Sequence, residues 1–428
     1  MTDPGPPALH ALPAGMADLL PAEAAVEAWL AGRVMESFAL HGYQRVGLPA
    51  LELVRVLERG LGELDPRELV CFVEPETGEL VAFRPDMTPQ IARLVATRLG
   101  DREGPVRLAY QGSVLRRRRE RARRQQQLPQ AGIELVGLAA PEGDEETIRA
   151  ACAAVRAAGL RRFHVELSHT GVARALMAPL TAEQRAALVE ALAHKDATEL
   201  GRRARDAALP TAVREALVEL PALHGDVEVL EEAARLLDPT PARDALAELR
   251  ALCSAVAAGV IAPSLGVDLG EAWDFDYYTG GTFRVLAEGA AERVGSGGRY
   301  DQLLGRFGAP RPACGFALDL VPLGRAARHQ GGLPPSPPRV GVLAEAGAAQ
   351  RLLAALRAAG VPAVRVGGPA GVALDRRELT HLAAEAGGGR WELRSPESRC
   401  ECVDDAAVVA AAQTGRARDE GVARTGGA

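Results

Sequence analysis

The sequence predicts an α+β chain with a helical insertion and a small C-terminal α/β domain. Three observations lead to this prediction. Strand-like segments lie on both sides of one long run rich in alanine, leucine and glutamate, helix-periodic segments flank those strands, and a strand, helix, strand pattern follows a linker rich in glycine and proline. A length of 428 residues and a hydrophobic content of 47% allow two or three domains with large cores.

The first predicted elements are a helix, an extended segment and a second helix. Residues 22–40 repeat apolar side chains every four positions, and Pro21 stands where the first turn of a helix tolerates proline. An extended segment is predicted over 43–53 and a short strand over 80–83. Thr88, which precedes a proline, is predicted to be the N-cap of the next helix.

The central strands come before the insertion. Strands at 106–110 and 133–137 enclose an arginine-rich segment, and a helix begins near Asp144. After a strand at 163–167, a helical composition interrupted by prolines predicts a helical insertion over about residues 175–257.

Strand-like sequence returns at 273–287 and is followed by a glycine cluster at 295–298. The cluster superficially resembles a phosphate-binding loop. Because that loop needs a lysine, the favoured prediction is a strand-to-helix turn before a short helix at 301–304.

The predicted domain boundaries follow from these elements. A core spans residues 1–325 and a linker spans 326–338. A small α/β domain spans 339–412, and a tail poor in apolar residues, 413–428, is predicted to be disordered.

Composition excludes several kinds of chemistry. Among 50 basic residues, Lys195 is the single lysine, and it lies in a charged, helix-like stretch that is poorly suited to Schiff-base chemistry. The 6 cysteines are scattered, which predicts free thiols and neither a zinc site nor a disulfide framework. The net charge is −6, and neither a membrane-spanning apolar run nor a secretory signal is visible. We therefore expect a soluble cytoplasmic protein without a cofactor or metal.

Two segments carry candidate binding groups. Residues 116–124 contain seven arginines and fit either a solvated basic loop or an anion site, because guanidinium groups bind phosphate and carboxylate bidentately. In the strand that follows, Gln130 and Glu134 lie on one face and suit an ammonium or imidazole ligand, although such pairs are as often exposed to solvent.

Three further residues are weaker candidates. Asp86, just before the predicted cap, could hold an amino group. Tyr277 and Tyr278 are adjacent in a strand-like segment, where neighbouring side chains face opposite sides. At most one of the two tyrosines is therefore expected to fill the core, and the other can face a cleft.

Six motifs in a fixed order resemble the core of the class II histidyl-tRNA synthetases over about residues 10–325. The resemblance implies an antiparallel sheet flanked by helices, normally in a dimer, with the helical insertion between the second and third class motifs. The motifs are Pro13-Ala-Gly-Met-Ala-Asp-Leu-Leu-Pro21, the stretch from Gly42-Tyr43 to Leu51-Glu52, Arg84-Pro-Asp-Met-Thr88, residues 116–137, Asp276-Tyr-Tyr-Thr-Gly280 and Gly297-Gly-Arg-Tyr-Asp301.

Several positions depart from the synthetase pattern. Val321 and Pro322 stand where the third motif has its glutamate and arginine. Trp273 replaces a second arginine, and Arg118 replaces the glutamate of the second motif. Because two of these changes remove arginines that would stabilise phosphate charge, we expect adenylate formation to fail and no catalytic residue to remain. The segment from Asp86 to Arg93 is instead similar to the regulatory subunits of ATP phosphoribosyltransferase.

That second resemblance implies a non-catalytic subunit that assembles with the short-form catalytic ATP phosphoribosyltransferase. The family is required for the first step of histidine biosynthesis and conveys feedback by L-histidine, with dimers inside a hetero-oligomer. The C-terminal domain could be a remnant of an anticodon-binding domain, and its balanced charge argues against tRNA binding.

The resemblance also implies a set of L-histidine ligands. Asp86 and Thr88 would meet the amino group, Arg116 the carboxylate side, and the remaining residues the rest of the amino acid. The full predicted set is Asp86, Thr88, Arg116, Gln130, Glu134, Tyr277 and Tyr278. Two alternatives stay open at this point, an active histidine–tRNA ligase and a paralogue whose arginine-rich segment binds nucleic acid without chemistry.

Overall fold

A computed structural model of the protein describes residues 12–13, 15–62, 69–116, 127–259, 264–271, 277–334, 338–366, 379–396 and 398–414. They form two compact units, the first ending at Leu333 and the second beginning at Pro334. Most of the arginine-rich segment, including Arg118, lies outside the described residues, as do Trp273 and the tail beyond residue 414.

The strands of the described chain are, in order, β1 (Gln44–Arg45), β2 (Leu51–Leu53), β3 (Cys71–Val73), β4 (Leu80–Phe83), β5 (Val106–Leu115), β6 (Gln127–Val136), β7 (Phe163–His169), β8 (His224–Gly225), β9 (Ser264–Asp268), β10 (Gly281–Ala287), β11 (Gly295–Arg299), β12 (Ala313–Asp319), β13 (Val340–Leu343), β14 (Ala363–Arg365), β15 (His381–Gly387), β16 (Arg390–Arg394) and β17 (Arg399–Cys402).

The α-helices are α1 (Pro21–Leu40), α2 (Val54–Leu61), α3 (Thr88–Arg98), α4 (Glu142–Ala157), α5 (Thr170–Leu176), α6 (Ala182–Ala193), α7 (Ala197–Asp206), α8 (Thr211–Glu219), α9 (Val229–Leu237), α10 (Arg243–Ala257), α11 (Leu320–His329), α12 (Ala346–Ala358) and α13 (Asp405–Thr414). Short 3₁₀ turns occupy Leu220–Ala222 and Leu304–Phe307.

The first unit is built on a sheet whose described strands run in the order β1-β5-β6-β12-β11-β10-β7-β9-β8. Neighbouring strands are antiparallel except in the β1–β5 and β7–β9 pairs. Helices α1, α4, α10 and α11 pack against this sheet. The predicted antiparallel sheet flanked by helices is therefore confirmed.

The predicted first helix is also confirmed, with one added residue. It begins at Pro21, which occupies the first helical position, and its buried face includes Leu30, Val34 and Phe38. The repeat of four places these three side chains on one stripe, which packs into the main hydrophobic core.

The long helical run between β7 and β9 forms helices α5 to α10, interrupted by the two-residue strand β8. This region confirms the predicted helical insertion. Strand β9 (Ser264–Asp268), which follows the insertion, was not predicted, because its alternation of Leu265 and Val267 with polar or glycine positions extends over only 5 residues.

The glycine cluster forms a strand and not the predicted turn. Gly295–Arg299 is β11, paired with β10 and β12 in the middle of the sheet. A Cβ atom at Gly297 would overlap the carbonyl oxygen of Gly315 on β12, so glycine permits this close approach of backbones. The predicted helix at 301–304 is wrong as well, because the residues from Leu304 form a single 3₁₀ turn.

Two other predicted boundaries need correction. The extended segment over 43–53 is divided between β1, on the large sheet, and β2, in a separate sheet of order β2-β4-β3. Strands β5 and β6 are each 10 residues long and pair from Val106 with Val136 to Leu115 with Gln127. The unpredicted halves of both strands are largely polar, so the sequence pattern does not reveal their full length.

The second unit has a sheet in the order β14-β13-β15-β16-β17, with α12 and α13 packed on it. Its core includes Val340, Leu352, Trp391 and Val408. The small C-terminal α/β domain is confirmed. None of the helices in the described ranges of either unit is long and apolar enough to cross a membrane.

Candidate functional site

A small cavity on one face of the large sheet brings all seven predicted site residues together. Its volume is about 30 Å³, room for about two water molecules. The lining includes Asp86, Thr88, Arg116, Gln130, Glu134, Tyr277 and Tyr278.

The floor of the cavity is made by β6 and β12. Gln130 and Glu134 lie on one face of β6, as predicted, and they pair across the sheet with Asp319 and Gly315 of β12. Because Gly315 has no side chain, the floor stays open beside Glu134. A Cβ atom at this position would overlap Glu134 Oε2 and lie 2.5 Å from the Tyr300 hydroxyl.

Glu134 is the most deeply buried acid of the site, with 2% of its surface exposed. Its Oε1 atom accepts hydrogen bonds from Thr88 Oγ1 at 2.8 Å and from the Tyr110 hydroxyl at 3.3 Å. Burial raises the pKa of Glu134 well above its ordinary value, and the nearby Asp86 raises it further. Among the described residues, Glu134 Oε2 has no hydrogen-bond partner.

The hydroxyl of Thr88 binds the site and does not cap the helix. The N-cap position of α3 belongs to Met87, and no side chain caps this helix. The predicted capping role of Thr88 is therefore wrong. The reason is positional: Thr88 is already the first helical residue, and its hydroxyl reaches across to the buried Glu134.

Asp86 connects the start of α3 to the rim of the cavity. Its Oδ1 atom accepts the backbone N–H of Thr88 at 2.7 Å. Its Oδ2 atom accepts from Arg116 at 3.3 Å and from the Tyr277 hydroxyl at 3.5 Å. Arg116 also donates to the carbonyl oxygen of Pro85 at 2.7 Å. The guanidinium of Arg116 is thus bound to Asp86, the acid predicted to receive the amino group.

Both predicted tyrosines line the cavity. The expectation that Tyr277 and Tyr278 face opposite sides is wrong, because β10 begins only at Gly281 and the tyrosines precede it. Their ring centroids are 4.7 Å apart, and Tyr300 meets Tyr277 edge-on at 5.5 Å. Burial raises the pKa of Tyr277 well above its ordinary value, so its hydroxyl keeps its proton and remains a donor.

Sequence reasoning missed five polar residues of the cavity lining: Tyr110, Arg293 and Ser296, and the pair Tyr300 and Asp319. Tyr300 follows Arg299 in the quoted Gly-Gly-Arg-Tyr-Asp motif, so the motif itself was a signal. Its hydroxyl is buried and, like Glu134 Oε2, has no hydrogen-bond partner in the described part of the protein. The other group is Asp319, whose Oδ1 accepts from Gln130 Nε2 at 2.7 Å.

The start of α11 lies next to this cavity. Asp319 is the N-cap residue, and Val321 and Pro322 are the second and third residues of the helix. Pro322 is buried in the helix packing and offers neither a charge nor a backbone N–H to a ligand.

A larger open groove, of about 1100 Å³, lies between α1 and α11. It is lined by mixed groups such as Val26, Glu27 and Arg325. Within the described residues, no partnerless buried polar atom faces this groove, whereas Glu134 and Tyr300 each direct one into the small cavity. Because buried polar atoms ordinarily have hydrogen-bond partners, the two such atoms at this cavity make it the better candidate despite its size.

In the described ranges, no group of three histidine, cysteine, aspartate or glutamate side chains could hold a metal ion. The site offers acidic, amide and phenolic groups together with the guanidinium groups of Arg116 and Arg293. These groups suit a small zwitterion that carries N–H donors.

Comparison with known proteins gives a consistent result. A family model described as histidyl-tRNA synthetase matches residues 15–323. A protein from an Anaeromyxobacter species, named ATP phosphoribosyltransferase regulatory subunit, is 43% identical over 314 residues, which are 72% of this chain and 90% of that protein.

Two solved structures are similar in fold. One, from Bacillus halodurans, is described as an ATP phosphoribosyltransferase regulatory subunit/histidyl-tRNA synthetase. Its TM-score is 0.75 at 29% identity, with 87% of this chain and 96% of that chain covered. The other, a histidyl-tRNA synthetase from a Nostoc species, also has a TM-score of 0.75, at 20% identity, with 93% of this chain and 98% of that chain covered. The second likeness shows the fold alone, and both agree with the predicted class II architecture.

Proposed function

Since this chain belongs to the family of ATP phosphoribosyltransferase regulatory subunits, which share the histidyl-tRNA synthetase fold, we propose that it binds free L-histidine in the small cavity and conveys feedback to a catalytic transferase subunit. The partner is the short-form catalytic ATP phosphoribosyltransferase. The regulatory chains form dimers within the resulting hetero-oligomer, and tRNA is not a ligand.

The observation that supports histidine most directly is the pair of partnerless atoms, Glu134 Oε2 and the Tyr300 hydroxyl. Both lie beside the open position above Gly315. Leaving a buried polar group unsatisfied costs about 1–3 kcal/mol, so a ligand that bonds both atoms recovers this free energy on binding. An imidazole ring presents one N–H donor and one acceptor nitrogen, which match a carboxyl oxygen and a phenol.

The opposite end of histidine is matched by charged groups. Asp86 supplies a carboxylate to the ammonium group, and Thr88 fixes that carboxylate through its backbone N–H. Arg116 supplies the cation for the ligand carboxylate. Tyr277 and Tyr278 form the aromatic wall, and Gln130 completes the polar floor.

Histidine binding requires movement, because a cavity of about 30 Å³ is smaller than the amino acid. The contact to break is the 3.3 Å pair between Arg116 and Asp86. Arg116 would then turn to the ligand carboxylate. Its displacement is our candidate for the first step of the signal, because Arg116 opens the arginine-rich segment of the sequence.

We propose that the chain itself catalyses no aminoacylation. The helix that follows β12 has Val321 and Pro322 in its first turn, where a synthetase holds ATP with an arginine by the resemblance. A lost cation of this kind is worth several kcal/mol of transition-state stabilisation.

Feedback requires that histidine binding and transferase activity share a coupling free energy, typically about 1–3 kcal/mol. The decisive experiment has two parts. Calorimetric titration of the chain with L-histidine tests the site, with Glu134→Ala as the disabled variant and Glu103→Ala, at an exposed position, as the control. A transferase assay of the co-purified complex, with and without histidine, tests the feedback.

Each part has a contrary outcome. No heat of binding at millimolar histidine would remove the sensor role. Binding without a change in transferase rate would keep the site and remove the feedback. Histidine-dependent exchange of pyrophosphate into ATP by the isolated chain would instead establish a ligase and overturn the non-catalytic proposal.

A further inference from the structure

Two cysteine thiols lie side by side on the last strand of the second unit. Cys400 and Cys402 are separated by one residue in β17, and because side chains alternate along a strand, both lie on the same face. Their Sγ atoms are 3.5 Å apart. These are the two cysteines of the second unit, since the other four belong to the first.

The spacing of the two residues suits a disulfide. Such a bond needs Cα atoms within about 4.4–6.8 Å of each other and sulfur atoms about 2.05 Å apart. A strand rises about 3.3 Å per residue, so the Cα atoms of Cys400 and Cys402 are about 6.6 Å apart. The sulfur atoms therefore have to approach each other by about 1.5 Å. Because the Cα distance is close to the upper limit, the bond would be strained and readily reduced.

One of the two thiols is accessible to solvent and the other is not. Cys400 is partly exposed, whereas Cys402 is 3% exposed. Among the described strands, β17 is bonded only to β16, so it lies at an edge of its sheet. An oxidant that arrives from solvent therefore meets Cys400 first, and Cys402 holds the second sulfur within reach. An accessible thiol beside a resolving thiol is the arrangement that redox-sensing sites use.

The pair also borders a residue that can report its oxidation. In the register of β16 and β17, Cys402 lies opposite Trp391 and Cys400 lies opposite Leu393. Trp391 is 1% exposed, and its indole N–H donates to Asp405 Oδ1 at 2.7 Å. Asp405 is the first residue of α13. A bond that draws the two cysteines together therefore shifts the strand beside Trp391 and its hydrogen bond to α13.

We propose that Cys400 and Cys402 form a reversible dithiol–disulfide site, oxidised by a peroxide, whose oxidation shifts the strand beside Trp391. With hydrogen peroxide, the Cys400 thiolate attacks one oxygen and the O–O bond breaks, which gives Cys400 sulfenic acid and water. The Cys402 sulfur then attacks the Cys400 sulfur. The S–S bond forms as the S–O bond breaks, and a second water leaves with the Cys402 proton.

Electrons balance in both directions. The two thiols together lose two electrons, and hydrogen peroxide gains them as it is reduced to water. A reducing thiol reverses the reaction by exchange through a mixed disulfide, and it is itself oxidised to a disulfide.

The test treats the full-length chain with hydrogen peroxide, blocks the remaining thiols with iodoacetamide in urea and measures the tryptic peptides by mass spectrometry. Trypsin places both cysteines on one peptide, residues 400–416, because it cleaves after Arg399 and Arg416. After oxidation, we expect this peptide to have lost two hydrogen atoms and to carry no alkyl group. Dithiothreitol, added before the blocking step, should restore the doubly alkylated peptide.

Three single substitutions separate the pair from ordinary thiol oxidation. In Cys402→Ser the sulfenic acid has no second thiol, so Cys400 should proceed to sulfinic acid, which dithiothreitol does not reduce. In Cys400→Ser the buried Cys402 should stay reduced, and this substitution at a partly exposed position keeps the test valid if Cys402→Ser does not fold. Cys71→Ser removes another partly exposed thiol and is the matched control, in which the disulfide should form as before.

Trp391 gives a second readout. A variant with Trp391 as its single tryptophan, made by Trp29→Phe and Trp273→Phe, should change its fluorescence on oxidation and recover it with dithiothreitol. The recovery should be lost when Cys402→Ser is added. An unchanged fluorescence in the presence of the disulfide would contradict the proposed shift beside Trp391.

Other results would overturn the site itself. Peptide 400–416 could stay doubly alkylated at a peroxide concentration that oxidises Cys71, which would show that the pair has no special reactivity. Sulfinic acid at Cys400 of the unaltered chain, or disulfide-linked dimers through Cys400, would show that the neighbouring thiols do not bond to each other. None of these measurements involves histidine, so failure of the proposed histidine site leaves this inference standing, and the reverse also holds.

Discussion

Replacing Glu134 by glutamine should make the ligand-free protein more stable and make histidine bind less tightly. Glutamine keeps an oxygen that can accept from Thr88 and Tyr110, as Glu134 Oε1 does. It places an uncharged NH₂ group where the buried Oε2 atom has no partner in the described chain. The substitution therefore removes an ionisable group from a site that disfavours its charged form.

The stability effect depends on pH in a defined direction. Burial raises the pKa of Glu134 in the folded state, whereas a glutamate in the unfolded chain has a pKa of about 4.3. Between these two values the folded state binds a proton that the unfolded state lacks. Stability therefore falls as pH rises through this window, by up to about 1.4 kcal/mol per pH unit for one proton. Glu134→Gln should abolish this slope and raise the free energy of unfolding near neutral pH.

The binding effect has the opposite sign. The carboxylate contributes a charge-assisted hydrogen bond to a ligand N–H, worth about 1.5–3 kcal/mol, which is roughly a 10- to 150-fold weaker Kd on its loss. Urea unfolding between about pH 5 and pH 8 measures the stability, and calorimetry measures the affinity. Glu103→Gln, at an exposed glutamate, should change neither. A Glu134→Gln protein with the original pH slope and the original affinity would refute both the charge state and the ligand role of this residue.

Three further substitutions have clear expected results. Gly315→Ala should weaken histidine binding by at least about 100-fold, because its Cβ would overlap Glu134 Oε2 and crowd the Tyr300 hydroxyl, and should lower unfolding stability by about 1–3 kcal/mol in urea titrations. Gly32→Ala, at an exposed helical position with no atom near the new Cβ, should raise stability by about 0.5–1 kcal/mol and leave calorimetric affinity unchanged. His169 caps α5 through Nδ1, and burial lowers its pKa, so it stabilises the fold above about pH 6.5 and loses this effect as pH falls. His169→Ala should lower stability by about 1 kcal/mol at neutral pH and flatten the acid-side decline in a urea series.

The sequence predicts an element well when the repeat of its apolar residues matches the face that the fold buries. Helix α1 is an example, since its apolar repeat of four is the stripe that packs on the core. Strand β11 is the contrary example. Its glycines give no pattern of apolar and polar side chains. Glycine is needed here because the backbone of β12 at Gly315, nearly twenty residues later in the chain, lies too close for a side chain. The periodicity of a short segment cannot reveal a requirement that comes from a contact with a distant part of the chain.

The same distinction applies to the site. Gln130 and Glu134 could be predicted as a pair, because alternation along one strand places them on one face. The bond between Gln130 and Asp319 joins positions 189 residues apart, so no local pattern reveals it. Thr88 shows a related failure. Threonine often caps a helix, but here its hydroxyl donates to the buried carboxyl of Glu134 on β6.

Arginine abundance has a structural explanation in the described residues, where the fork of a guanidinium binds several acceptors at once. Arg84 donates to the carbonyl oxygens of Leu48, Pro49 and Ser113. Arg299, buried beside the site, bonds Asp144 and Asp301.

A lysine ammonium donates its three hydrogen bonds from one nitrogen, whereas a guanidinium donates from three nitrogens spread over a planar fork and so reaches acceptors that lie further apart. A composition of 49 arginines and one lysine therefore reflects internal cross-links as well as surface charge. For function, the position of each residue matters more than the number of arginines. At the start of α11, Pro322 supplies neither a cation nor an N–H, and the Asp319 carboxylate accepts from Gln130 instead of capping the helix.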